Sequence, residues 1–158
     1  MNAETRRRSF SSSAKHAFTE ASEIVESYLD RTSDPMSVEM AFKVLCLYWH
    51  RTAQYLDRIS DFIEPKSWDD EGYLRLTALT TAGAYLAKAS NPGLLKRIFQ
   101  IFSDPREEDL VRGEAYRAMG RPAGVTPPKL PGPGRISDFE HDVDHKIVDW
   151  VREQVRQG

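Results

Sequence analysis

A chain of 158 residues has room for one domain with its own core, not for two comfortable ones. Its 40% apolar and 29% charged residues exclude disordered and fibrous classes, and a formal charge of −2 offers no global attraction to nucleic acid or anionic lipid. A single cysteine, Cys46, excludes disulfide stapling and fits a reduced, cytoplasmic setting. It lies in the run Val44-Leu45-Cys46-Leu47, which predicts a small buried hydrophobe rather than a nucleophile. No stretch approaches the roughly 20 apolar residues of a membrane span.

Residues 1–13 read as a basic, polar tail containing Arg6-Arg7-Arg8 and Ser9-Phe10-Ser11-Ser12-Ser13. Glu4 and the lack of an apolar segment argue against transit and secretory peptides. Residues 14–158 are expected to form one helical-repeat domain. Ser13 is the expected cap of a first helix over Ala14–Leu29, whose Ala14, Ala17, Phe18, Ala21, Val25 and Tyr28 share one stripe. Asp34-Pro35 then supplies a cap and a proline at the first helical position. Met36–Ile63 contains neither glycine nor proline; it is one long helix, or two that meet near Tyr48-Trp49-His50-Arg51-Thr52. The repeat described below favours the bend.

Ser67 and Asp70 have capping-box spacing, which places the next helix at about Glu71–Lys88. Asn91-Pro92 opens another, rich in Leu94, Leu95, Ile98, Phe99, Ile101 and Phe102. Asp104-Pro105-Arg106-Glu107 is expected to repeat the device before a helix over Leu110–Met119 that stops at Gly120. Residues 121–136 carry five prolines and three glycines and predict an extended strap. Within it Pro128-Lys129-Leu130-Pro131 has the P-x-x-P form of a recognition peptide, although a stiff spacer is the expected role. Ser137-Asp138-Phe139-Glu140 predicts a capping box and a closing helix over 137–156. No segment alternates with period two, so the fold class is all-α, with about 6–7 helices.

Ala41, Ala78 and Ala115 stand 37 positions apart, and their neighbours come into register with them: Phe42, Leu79 and Tyr116, then Leu45, Ala82 and Met119. The fragment Asp104-Pro105…Asp109-Leu110-Val111-Arg112…Ala115…Ala118-Met119-Gly120 resembles a HEAT-type helical repeat. Leu74-Arg75…Ala78…Ala82-Gly83 is a fainter copy, and the first unit keeps Asp34-Pro35, Val38, Ala41 and Leu45 without the arginine. The resemblance covers roughly residues 34–120. It implies a right-handed stack of antiparallel helix pairs, an α-α superhelix, with a concave binding face built from the second helix of each pair. A compact helical bundle is the competing arrangement.

Several side chains carry functional expectations. Trp49, Arg51 and Tyr55 gather hot-spot residue types at a helix corner, Trp68 sits in a loop, and Arg58 and Arg97 lie on second helices that would line the concave side. Their mixed surroundings suit another protein better than a phosphate backbone. His141 and His145, with Asp142 and Asp144 between them, would share a helix face at i, i+4, so a metal is the alternative there; a solvated polar face is the expected reading. Arg6, Arg7, Arg8, Lys96 and Arg97 carry a nucleic-acid alternative. No phosphate-loop, nucleotide-fold or hydrolase motif is present. The sequence therefore points to a non-catalytic, cofactor-free module that binds another protein as a stoichiometric inhibitor of the immunity type or as an adaptor.

Overall fold

The computed structural model describes residues 17–157, so Arg6-Arg7-Arg8, Ser13 and the rest of the basic tail lie outside the described residues. Among those described there is no strand. Helix α1 occupies residues 17–26. It is followed by α2 (Pro35–Lys43), α3 (Leu56–Phe62), α4 (Tyr73–Leu86), α5 (Pro92–Ser103), α6 (Asp109–Gly120) and α7 (His145–Gln157).

Met36–Ile63 is two helices. Beyond Lys43 the helix widens to a π turn over Val44–Tyr48, then stops at His50, which adopts the left-handed φ of 55°. The Arg51 amide closes this end on the Leu45 carbonyl at 3.1 Å. A 3₁₀ turn, Thr52–Tyr55, leads into α3. The break falls where the repeat put it, although neither glycine nor proline makes it.

Helices α2, α4 and α6 lie side by side and carry Ala41, Ala78 and Ala115, which are 37 residues apart. A buried Glu39 on α2 accepts from Thr77 Oγ1 on α4 at 2.6 Å, and Glu114 on α6 accepts from Thr80 Oγ1 at 2.6 Å. The second row holds α3 against α4, α5 against α6, and α7 against α5 and α6. One apolar core fills the space between, from Val38, Phe42 and Leu45 through Leu74 and Leu79 to Ile98, Ile101 and Met119. Ala41, Ala78 and Ala115 are buried in it. Small residues at that level let backbones approach: a Cβ on Gly83 would stand 2.8 Å from Ala118 Cα.

Arg75 and Arg112, also 37 apart, perform one task. Each sends Nε back to a carbonyl at the end of the preceding helix, Ile63 at 2.8 Å and Phe102 at 3.0 Å. Cations there satisfy carbonyls that have no partner within the helix. Arg75 also grips Glu107 with two 2.7 Å bonds, tying the start of α4 to the loop before α6.

Three sequence expectations are corrected. Helix α4 starts at Tyr73 behind Gly72 (φ 69°), and Asp69 rather than Ser67 accepts from an early amide, that of Arg75 at 3.2 Å. Asp104 binds Arg106 in a turn of its own instead of capping α6, which starts at Asp109, beside the expected Leu110. Asp138 and Asp142 fold residues 137–142 into a tight turn, and α7 starts at His145 rather than 137. Helix α6 ends at Gly120 as expected, and the missing Cβ of that residue admits Leu130, whose methyls would stand 2.8 Å from one.

That last contact reveals the strap's course. Leu130 rests on Gly120, Arg117 donates to the Pro131 carbonyl at 2.7 Å, and Pro133 crosses Gly113. Gly134 arrives near Leu110. The strap thus runs antiparallel along α6, with Leu130 and Ile136 buried. It is a covering element rather than a mere spacer to α7.

Candidate functional site

The six residues expected at a partner surface fall into three places. Arg51, Tyr55 and Arg58 advance in step along α1: Arg51 Nη1 donates to Ser22 Oγ at 2.9 Å, Tyr55 Oη to Glu26, and Arg58 Nη2 to Asp30 at 2.6 Å. Burial and the bond to Glu26 push the Tyr55 hydroxyl up to about 12. Their polar heads are therefore engaged in holding α1, whose apolar stripe is only partly covered; Phe18 remains 44% exposed. Trp49 joins this corner, its ring 5.1 Å from that of Phe18, with the Arg51 guanidinium 4.8 Å from the Phe18 centroid. Arg97 lies apart on α5, clamped to Glu64 by bonds of 2.5 and 2.6 Å that hold the Glu64 carboxyl below its usual range.

Trp68 is elsewhere again, half-buried with its ring edge-on to Phe62 at 6.4 Å. It forms one wall of a groove of about 580 Å³ between the starts of α2 and α4. The other apolar walls are Met36, Tyr73 and Leu76. Met36 is 73% and Tyr73 58% exposed because both sit in a first helical turn, where side chains project past the helix end.

The groove's rim is acidic. Asp34 caps α2, accepting from the Ser37 hydroxyl at 2.5 Å and amide at 3.2 Å, and these bonds hold its carboxyl below the usual range. Asp69 is spent on the Arg75 amide, and Glu39 on Thr77 and on Lys43 at 2.7 Å. Asp70 and Glu71 are exposed and have no ion pair among the described residues. Among the described residues Lys43 is the groove's one cation.

Sequence reasoning found Trp68 and missed Met36 and Tyr73. The signal was present: Met36, Tyr73 and Leu110 are themselves 37 apart, five positions before each repeat alanine. Leu110 is 41% exposed, so one register position forms an apolar row across α2, α4 and α6. The exposure falls towards α6, where the strap lies alongside.

The histidine alternative loses its premise. His141 precedes α7 and pairs its Nδ1 with Asp138 at 2.8 Å, while His145 opens the helix and places Nε2 2.6 Å from the Glu140 carbonyl. They do not share a helix face, and no group of three or more ligand-type side chains converges among the described residues. Cys46 is buried, and burial pushes its thiol up to about 12, which makes it a poor nucleophile. Among the described residues no helix is long and apolar enough to cross a membrane. Set against protein-family models, curated proteins and solved structures, the chain finds no match.

Proposed function

We propose that this chain is a non-catalytic, cytoplasmic protein-binding module, a HEAT-like stack of helix pairs that acts as a stoichiometric inhibitor of the immunity type or as an adaptor. The observation that carries the reading is the row Met36, Tyr73 and Leu110. Large apolar side chains exposed at one recurring register position gain nothing for the fold, and contiguous exposed apolar surface is characteristic of docking sites. The 37-residue spacing of Ala41, Ala78 and Ala115 on α2, α4 and α6, and the shared task of Arg75 and Arg112, support the repeat. We assign the docking surface to the helix starts, with Trp68 retained from the sequence set, because the polar heads of Arg51, Tyr55, Arg58 and Arg97 already bond to other side chains of this chain.

Affinity capture from native extract tests this. One partner at near-equal stoichiometry is expected, with at least a tenfold loss of recovery for Met36→Glu/Tyr73→Glu, whose side chains are exposed and whose folding is checked by circular dichroism. Recovery of no partner, or a complex indifferent to these changes, overturns the reading. Adding the purified chain to the partner then separates the two roles: an inhibitor stops the partner's activity, whereas an adaptor leaves it running.

A further inference from the structure

We infer that the groove between α2 and α4 takes an extended segment of the partner protein in which arginine or lysine accompanies apolar side chains. This deepens the protein-binding reading and rests on it.

The walls set the apolar half of the requirement. Met36, Trp68, Tyr73 and Leu76 present two aromatic rings, an aliphatic branch and a flexible thioether, surfaces that adapt to apolar side chains. The rim sets the charge. Asp70 and Glu71 are exposed carboxylates with no cation of their own among the described residues, and Asp34 stays ionised because it is bonded to Ser37. Lys43 is already committed to Glu39. A segment bearing carboxylates would meet uncompensated repulsion there, and a cationic one is drawn in.

Shape argues for extended chain rather than a helix. Neighbouring packed helices stand about 8–10 Å apart, a width that three or four extended residues cross at about 3.3 Å each. The molecule supplies its own precedent one step along the row. On α6 a Pro/Gly strap with no α-helix covers the surface beside Leu110, with Pro133 against Gly113 and Gly134, in a short 3₁₀ turn, beside Leu110. Between α2 and α4 the described chain provides no such cover.

The opposite ends of the same helices sharpen the selection. A second cavity of about 460 Å³ there is lined by Lys88 and Arg121 beside Cys46. Cations at helix C-termini complement the dipole, and they repel the segment that the acidic groove attracts.

The test uses the intact chain and two fluorescein-labelled eight-residue peptides, one alternating arginine with leucine and one alternating glutamate with leucine, followed by anisotropy. The arginine peptide should bind saturably. Affinity should fall at least tenfold in Asp70→Lys/Glu71→Lys and in Met36→Ser/Tyr73→Ser, and by less than twofold in Asp149→Lys/Glu153→Lys on the distant α7. The glutamate peptide should not bind. Absence of binding, equal binding of both peptides, or an equal loss in the α7 variant overturns the inference. So does dimerisation of the chain alone that Asp70→Lys/Glu71→Lys abolishes, since the groove would then belong to a second copy. A rise in peptide affinity on deleting residues 1–13 would likewise overturn it, giving the groove to the chain's own arginines. Capture of a partner that needs Tyr73 but ignores Asp70 and Glu71 would overturn this inference alone and leave the protein-binding reading standing.

Discussion

Two glutamates with opposite surroundings give this protein opposite responses to pH. Burial raises the Glu114 carboxyl, against the help of Thr80 and Arg117, so the folded state holds its proton more tightly than the unfolded chain does. The stability associated with that proton is fully present below the ordinary glutamate value of about 4.3 and is lost as pH rises through the folded value. Glu64 is the reverse case: the bond from Arg97 depresses its carboxyl, so its contribution is present above the ordinary value and is lost as pH falls through the depressed one. Glu114→Gln is therefore expected to melt above the parent at pH 7, with the gap closing as pH falls through the raised folded value and gone below about 4.3. Arg97→Ala should melt below the parent at pH 7 and approach it in acid. Thermal melts from pH 3 to pH 8 check both, and a Glu114→Gln gap that is constant with pH would contradict the burial argument. Neither behaviour was readable from the sequence. Glu114 became buried only when α4 came to lie on α6, and Arg97 met Glu64 across 33 positions of chain.

At the scale of elements, helix existence was legible and helix starts were legible only in part. Asp34-Pro35 and Asn91-Pro92 cap α2 and α5 as expected, with Asn91 accepting the Leu94 amide at 3.0 Å. Asp104-Pro105 and Ser137-Asp138 carry the same residue types, but their side chains bond to nearby backbone in turns that delay the helix. Spacing alone does not separate a cap from a turn, because both use one carboxylate on one early amide. The small-residue register, by contrast, had a geometric meaning that the helices realise. Gly83→Ala puts a methyl 2.8 Å from Ala118 Cα and 3.1 Å from its carbonyl oxygen, so α4 and α6 must separate. A loss of about 1–3 kcal/mol is expected from overpacking, outweighing the gain of about 1 kcal/mol that alanine ordinarily brings to a helix. Gly93→Ala, with its nearest atom 3.6 Å away, should instead gain about 0.5–1 kcal/mol. Denaturant midpoints of the two variants should move in opposite directions, and a Gly83→Ala midpoint at or above the parent's would show that the two helices do not meet this closely.

For the whole molecule, the governing problem is the ends of the row. A helix layer leaves an apolar face at each end that something must cover. At the α6 end the strap and α7 do so. Phe139 packs on Phe102 at 6.0 Å and under the Arg112 guanidinium at 3.8 Å, and Tyr116 Oη accepts the Asp144 amide at 2.9 Å. Deleting residues 127–158 should strip Phe102 and Tyr116 of this cover, replace one cooperative thermal transition by a broad one, and induce binding of a hydrophobic dye; an unchanged sharp transition would mean that the strap and α7 are appendages. At the α2 end Met40 is half exposed, at the register position where α4 places Thr77 and α6 Glu114 against the preceding helix. By itself the sequence determined the helical class, the 37-residue spacing of Ala41, Ala78 and Ala115, and the lack of α-helix in the strap, which is not extended throughout but makes short 3₁₀ turns at Pro127–Lys129 and Pro133–Arg135, because these depend on local periodicity and on the backbone limits of proline and glycine. Tertiary structure alone decided that Arg51, Tyr55 and Arg58 turn inward to α1, that the strap lies along α6, and that Trp68 meets Met36 and Tyr73 in one acidic groove. Those contacts reach across as many as 32 positions of chain, between Met36 and Trp68, and only the packing of one element on the next brings them within reach.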